Sequence, residues 1–382
     1  MTERFRDDLE AIRAAGLYRA LRPTQGPVDT WVEIDGRRVL LLCSNSYLGL
    51  ANHPALAEAA ARAARTHGVG AGASRLVSGS MALHHALEER LARLKGAAAA
   101  LLFPSGYQAN IGAVCALAGR GDAIFSDRLN HASIIDGCRL SGAAIHVYPH
   151  RDVDALGVLL ASTPARRRLI VTDSVFSMDG DHAPLAAIAD LAARHDAMVL
   201  VDEAHATGVF GPTGGGLVEA LGLYGAVTCQ VGTLGKALGC AGAFVAADRE
   251  VVELLVNRAR TFIFTTALPP PVAAAADAAL DIVAREPERR ARVLALAAAL
   301  RARLEALGLT VPPGEGPIIP VIAGDSARAV AWSQALLARG VFVQAIRPPT
   351  VPRGTARLRV TVMATHTDDD LAHAAAAFAD LA

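Results

Sequence analysis

The sequence predicts an α/β fold: a mostly parallel sheet flanked by helices, with an N-terminal arm and a small C-terminal α+β domain. Three observations carry that expectation. Short apolar runs such as AMVLV at 197–201, ending in an acid, alternate with helical segments such as PLAAIADLAARH between about Asn52 and Val283. Strands of that kind, buried on both faces and joined by helices, form parallel sheets. Ahead of this region, Phe5, Leu9 and Ile12 fall at i, i+4 and i+7, marking a separate amphipathic helix. Beyond it the pattern changes at REPERR, near Arg285, where a long Ala/Leu/Arg helical stretch begins.

In chain order, the first helix carries an apolar stripe expected to dock on something larger. WVEIDGRRVLLL then alternates about a DG turn, as a small hairpin does; helix and hairpin make up an arm over 1–45. In the large domain, 46–285, PALAEAAARAARTH reads as a helix. AAAALLF reads as a buried run, and PSGYQAN leads from it into the helix IGAVCALAG. AMVLVDEAH and AVTCQVGTLGK each read as a short apolar strand followed by a polar group. In the small domain, 286–382, the helical stretch to about Leu307 precedes GPIIPVIAG, a helix around 327–339, GVFVQAI and ARLRVTVMA. No internal repeat is present.

Composition narrows the function. Acidic and basic residues balance at 37 each over 382 residues, with no basic stripe or acidic tail, so neither nucleic acid nor an anionic membrane is the expected partner. A small-molecule enzyme fits better. The five cysteines are widely spaced, form no CxxC pair and read as small core residues, which argues against a disulfide framework or a metal site. The charged N-terminus lacks the apolar stretch of a signal peptide, and no apolar run approaches the roughly 18 residues of a membrane span. A cytoplasmic location is therefore expected.

Lys95 and Lys236 are the only lysines among the 37 basic residues. Lys236 lies within VGTLGKALGC, among small uncharged residues that solvate a charge poorly. An amine in such a place can lose its proton and act as a nucleophile or base, which an arginine cannot. Asp202 ends one predicted strand and Lys236 follows another. In an open parallel sheet both should face the crevice outside the strands' carboxyl ends. That pairing suits pyridoxal phosphate, with the lysine in a Schiff base and the aspartate holding the pyridine nitrogen protonated. Singly, Asp202 could be a helix cap or ion-pair partner, and Lys236 a solvated charge.

Further residues converge on the same rim. PSGYQAN offers backbone N–H groups at a helix start, where a phosphate binds, although an ordinary strand-to-helix turn reads the same way. Ser177 and Thr233 add hydroxyls. His131 in LNHASIIDG and His205 in DEAHATG are candidates to lie on a pyridine ring and to bond its phenolic oxygen. GVGAGA at 68–73 follows a helix where a dinucleotide fingerprint follows a strand, and TLGKA lacks the Ser/Thr of a phosphate loop. GPTGGG at 211–216 reads as a flexible loop near the site.

Taken together, SNSYLGL, LNHASIIDG, DEAHATG, GTLGKALG and IRPPTVPRGTARLRVT resemble the α-oxoamine synthases, fold-type I pyridoxal-phosphate enzymes that condense an amino acid with an acyl thioester. The resemblance runs from about Arg19 to the C-terminus. Through IRPPTVPRGTARLR it is nearest the branch that joins L-alanine to a pimeloyl thioester in biotin synthesis. It implies Lys236 as the cofactor-linked lysine, Asp202 as the pyridine partner, His131 as the stacked histidine and His205 as a cofactor contact. Gly106, Tyr107, Ser177 and Thr233 are implied in cofactor binding, and Thr265 and Thr266 in reaching the phosphate in the neighbouring subunit of a homodimer. Arg19, Asn45, His131, Thr350 and Arg359 are implied in substrate binding, Arg359 at the amino-acid carboxylate; no metal is implied.

The chain departs from the pattern at Ser46, where SNDYLGL has an aspartate. Either Arg19 or Arg22 fills the arginine position of the N-terminal segment. Ser74, in GASRLVSG, stands where glycine-using members favour threonine. Acetyl, succinyl or palmitoyl donors with glycine or serine would keep the same catalytic set, an aminotransferase would use the same lysine, and a non-catalytic regulator would want a DNA-binding extension that the sequence lacks.

Overall fold

The computed structural model describes residues 2–381. Its larger sheet has seven strands in the spatial order Ala99–Phe103, Ala243–Ala247, Cys229–Thr233, Ala197–Asp202, Arg168–Asp173, Ala123–Asp127 and Ala144–Tyr148. Ala243–Ala247 runs antiparallel to both neighbours and the remaining adjacent pairs are parallel. The strands Ala123–Asp127, Cys229–Thr233 and Ala243–Ala247 are buried at every position, which is why their sequences do not alternate between apolar and charged residues. Ala144–Tyr148, at the sheet edge, is mostly exposed.

Helix and sheet share one core that includes Phe103, Ala113, Val114, Ile124, Val171, Leu200 and Val231. Each large apolar side chain buried there stabilises the fold by about 1.5–3 kcal/mol. Packing is tight enough to require glycine in the strand that leads to Lys236: a Cβ on Gly232 would lie 2.3 Å from the Phe244 ring. Gly232→Ala should therefore destabilise the protein by about 1–3 kcal/mol through overpacking, seen as a lower midpoint in thermal unfolding. An unchanged midpoint would show that the ring has room to move.

The helix after Ala99–Phe103 begins at Gly106, inside PSGYQAN, and not at Ile111 as the sequence suggested. Ser105 starts it early: its hydroxyl accepts the Gln108 N–H at 3.3 Å, a side-chain N-cap. The Gly211–Gly216 segment is also unlike the flexible loop expected. The Glu219 carboxylate accepts the N–H groups of Thr213 at 3.1 Å and Gly215 at 2.7 Å, which pins it.

Contacts divide the chain into two units. One is Leu48–Ser177 with His182–Ala291; the other takes the chain up to Tyr47, Met178–Asp181 and the chain from Arg292 onward. In the second unit the hairpin pairs Trp31–Ile34 with Arg37–Leu41, and Asp35 and Gly36 at φ 52° and 74° make its turn. Arg37–Leu41 also pairs in parallel with Val341–Phe342, so the two ends of the chain share one small sheet. A second sheet orders Ile318–Gly324, Ala356–Thr361 and Gln344–Ile346, all antiparallel. The first helix, Thr2–Ala14, is present, but its apolar stripe is not docked: Phe5 is 63% exposed and Leu9 and Ile12 are 42% exposed. Periodicity reveals a stripe without revealing what covers it. Among the described residues no helix is long and apolar enough to cross a membrane.

Candidate active site

Three side chains singled out in the sequence lie beyond the carboxyl ends of parallel strands. Asp202 is the last residue of Ala197–Asp202, Lys236 follows Cys229–Thr233, and His131 follows Ala123–Asp127 and caps the helix Ala132–Ser141. The chain changes direction across the sheet at Ala123–Asp127, which sits between Ala144–Tyr148 and Arg168–Asp173. Open α/β sheets bind ligands at such a switch point.

A hydrogen-bonded chain joins two of the three. The Asn110 side-chain amide donates to Asp202 Oδ2 at 2.6 Å and to Ser133 Oγ at 2.9 Å, and Ser133 Oγ lies 2.7 Å from His131 Nδ1. Asp202 Oδ1 accepts the Ala204 N–H at 2.7 Å. Both carboxylate oxygens are thus oriented, with lone pairs remaining for another donor. The His131 backbone N–H donates to Asp173 Oδ2 at 2.7 Å. Asp173 is paired in register with Asp202 on the adjacent strand; burial, reinforced by the Asp202 charge, raises its pKa well above the usual carboxylate range. His131 is exposed, yet desolvation chiefly lowers its pKa, with Asp202 opposing and Lys236 assisting.

Lys236 Nζ is 2.8 Å from His205 Nε2, and His205 is only 5% exposed. Lys236 itself is half-buried, less enclosed than its small neighbours implied. The fully buried lysine is Lys95. Thr233 braces the turn before Lys236, its hydroxyl donating to the Gly242 carbonyl and accepting the Gly235 N–H, each at 3.1 Å. Ser177 is half-buried. At the capped helix start Gly106 has open space where a Cβ would stand, and the Tyr107 hydroxyl donates to Asp136 at 2.5 Å. Thr265 Oγ1 accepts from Gln108 Nε2 at 3.4 Å; Thr266 is exposed.

The remaining candidates belong to the other unit and form two groups. Arg359 is 7% exposed and donates to Asn45 Oδ1 at 3.0 Å and to the Tyr47 hydroxyl at 3.3 Å. Burial raises the Tyr47 pKa, which keeps the phenol neutral. Arg19 and Thr350 line a cavity of about 460 Å³ with Arg22, Leu21, Ile346 and Arg347; Asn45 and Arg359 are not part of its wall. Arg19 and Arg22 both line this cavity. Ser46 is buried, with its N–H bonded to Ser44 Oγ at 3.1 Å.

Comparison with known proteins now adds to this geometry. The model of the aminotransferase class I and II family matches residues 37–378. A curated relative from Anaeromyxobacter sp. (strain Fw109-5), 8-amino-7-oxononanoate synthase, is 63% identical over 359 residues, covering 94% of this chain and 90% of its own. The chain belongs to the 8-amino-7-oxononanoate synthase family.

Solved structures agree on the architecture. A serine palmitoyltransferase from S. paucimobilis with a bound PLP–myriocin aldimine superposes with TM-score 0.94 at 33% identity, covering 99% of this chain and 96% of the other. An 8-amino-7-oxononanoate synthase from Francisella tularensis gives TM-score 0.78 at 28% identity, over 90% and 97%. The fold is thus that of the fold-type I pyridoxal-phosphate enzymes. In this family member the residues fit such a group. Asp202 retains acceptor capacity beside the buried, unpartnered Asn110 Oδ1, an amine stands at the same rim, and the N–H groups of Gly106 and Tyr107, without intrahelical partners, offer a phosphate cradle.

Sequence reasoning missed Asn110, Ser133, Tyr47 and Asp173. Asn110, Ser133 and Tyr47 lie inside the quoted segments PSGYQAN, LNHASIIDG and SNSYLGL. A signal existed for Asn110: it stands one helical turn after Gly106, on the same face as the helix start. Nothing in the sequence pairs Asp173 with His131, because that contact crosses from one strand end to another.

Proposed function

We propose that this chain condenses L-alanine with a pimeloyl thioester, carried on coenzyme A or a carrier protein, to give 8-amino-7-oxononanoate, carbon dioxide and free thiol in biotin synthesis. Pyridoxal 5′-phosphate is its cofactor. The observation that carries this reading is the set of side chains gathered beyond the carboxyl ends of the parallel strands, Asp202–Asn110–Ser133–His131 and Lys236–His205, in a chain 63% identical to such a synthase.

When bound, pyridoxal phosphate supplies an electron-withdrawing ring that takes up negative charge from the α-carbon of alanine. Asp202 holds a proton at the pyridine nitrogen, and Asn110 and Ala204 keep its carboxylate aimed. His131 covers the ring face, and its lowered pKa keeps the imidazole uncharged near neutral pH, able to meet a thioester carbonyl oxygen. Lys236 would hold the cofactor and would take a proton from the alanine α-carbon at Nζ; His205 orients that amine. Gly106, Tyr107, Ser177 and Thr233 bind the cofactor, with Thr265 and Thr266 reaching that of a second subunit in a cytoplasmic homodimer with its site at the interface. Arg359 clamps the alanine carboxylate, with Asn45 setting its fork, and Arg19 and Thr350 contact the acyl donor.

Arg359→Lys tests the clamp. It keeps the charge but loses the planar fork, so KM for alanine should rise about 10- to 100-fold while KM for the thioester stays near its original value. Equal changes in both would remove Arg359 from the amino-acid side.

A second reading, serine with a palmitoyl donor, has one observation in its favour: backbone overlap is greater with serine palmitoyltransferase than with the Francisella synthase. Side chains select substrates, however, and identity of 63% against 33% favours alanine and a pimeloyl group. Incubating the protein with alanine, glycine or serine against pimeloyl, acetyl, succinyl and palmitoyl thioesters, with thiol release and product mass measured, separates the readings. Alanine with the pimeloyl donor should dominate. Preference for another pair, or keto-acid-dependent amino transfer, would overturn the proposal.

A further inference from the structure

We propose that Lys95 is a positioning residue for the reactive amine: its buried ion pair with Glu203 sets the turn that holds His205 against Lys236. The inference rests on the roles assigned above to Lys236 and His205.

Lys95 is one of the two lysines in a chain with 37 basic residues. Its side chain and that of Glu203 are both 0% exposed, and Lys95 Nζ donates to Glu203 Oε2 at 2.7 Å and to the Gly215 carbonyl. Glu203 Oε1 accepts the Val218 N–H at 2.9 Å. A Cβ on Gly216, at φ 114°, would stand 2.4 Å from Glu203 Oε2, so glycine is required for the loop to approach the carboxylate. The carboxylate therefore draws together the end of the helix Ala82–Leu94, the Gly211–Gly216 loop and the start of Leu217–Ala220.

Glu203 is also the residue between Asp202 and the turn bearing His205. Its N–H donates to Val231 O at 2.7 Å, and its carbonyl accepts the Thr207 N–H at 2.8 Å and the Thr207 hydroxyl at 2.9 Å. From the other side, Gln230 Nε2 donates to the Lys95 carbonyl at 3.0 Å, tying Lys95 to the strand that leads to Lys236. One buried residue thus touches both the turn that carries His205 and the strand that delivers Lys236. A compact ammonium with three rotatable donors fits this enclosed position, whereas a planar guanidinium carries its donors farther out in a rigid fork. Stability alone does not explain the pair, because well-packed apolar replacements of buried ion pairs are commonly as stable or more so. Orientation does.

The test compares Lys95→Met, which strands a buried charge, with the double variant Lys95→Met/Glu203→Met, which leaves none. Three readouts are taken on the 382-residue chain: thermal midpoint, kcat and KM with alanine and pimeloyl-CoA, and the pH midpoint for labelling Lys236 with trinitrobenzenesulfonate in cofactor-free protein, followed by the mass of the Lys236 peptide. The double variant should fold with a midpoint near wild type, lose about tenfold or more in kcat with KM for pimeloyl-CoA within about threefold, and show a labelling midpoint lower by about 0.5 pH unit or more. The shift is downward because the charged amine loses its imidazole acceptor. A folded double variant with wild-type kcat and labelling midpoint overturns the proposal. Failure of the double variant to fold also overturns it, by assigning the pair to stability. A failure of the functional reading would look different, since unsubstituted protein would itself lack cofactor absorbance or synthase activity.

Discussion

Replacing Lys236 with alanine should abolish the visible absorbance of lysine-linked cofactor and lower turnover by at least about 10⁴-fold, since in the role proposed above it supplies both the attachment point and the proton-transferring base. The structure gives two reasons to expect so large an effect. His205 already occupies the position from which it orients the amine, at 2.8 Å, and the only other lysine is enclosed with Glu203 and cannot substitute. Spectra of purified Lys236→Ala protein with added pyridoxal phosphate, before and after dialysis, provide the check. Retention of the wild-type band would exclude Lys236 as the attachment point. The thermal midpoint should change little, because the side chain is only half-buried.

Asp202→Asn should leave the protein folded and cofactor-bound but lower kcat by about 10²–10³-fold, the size of effect seen when one preorganised charge partner is removed from a reacting centre. The amide preserves shape and can still bond Asn110, yet it cannot hold a proton on the pyridine nitrogen electrostatically. Asn110 adds a sharper form of the test. Because its amide donates to Asp202 Oδ2 at 2.6 Å, Asn110→Ala should lower kcat by a smaller factor. If Asp202→Asn is deeply impaired, the double variant should lose less than the product of the two single losses. Normal turnover in Asp202→Asn would remove the electron-sink role from this residue.

Much of the fold was legible because its strands are buried on both faces. Apolar runs then announce themselves without knowledge of their neighbours, as AMVLV before Asp202 and AFVAA do. Helix starts were less legible: Ser105 moved one to Gly106 through a single side-chain hydrogen bond that competes with no visible pattern. The undocked face of Thr2–Ala14 shows the complementary limit, since an apolar stripe identifies a helix surface but not its cover.

For the site, the sequence by itself determined which residues have the right chemistry. An amine among small neighbours, an acid at a strand end and two histidines in polar turns could be picked out because reactivity is a property of residue type and immediate context. Only the tertiary structure decided how they are coupled. Asn110 and Ser133 link Asp202 to His131 through contacts spanning 92 and 23 residues of chain, and Lys95 reaches Glu203 across 108. Hydrogen bonds act over about 3 Å in space, so partners that distant along the chain meet only once the sheet has brought its strand ends side by side.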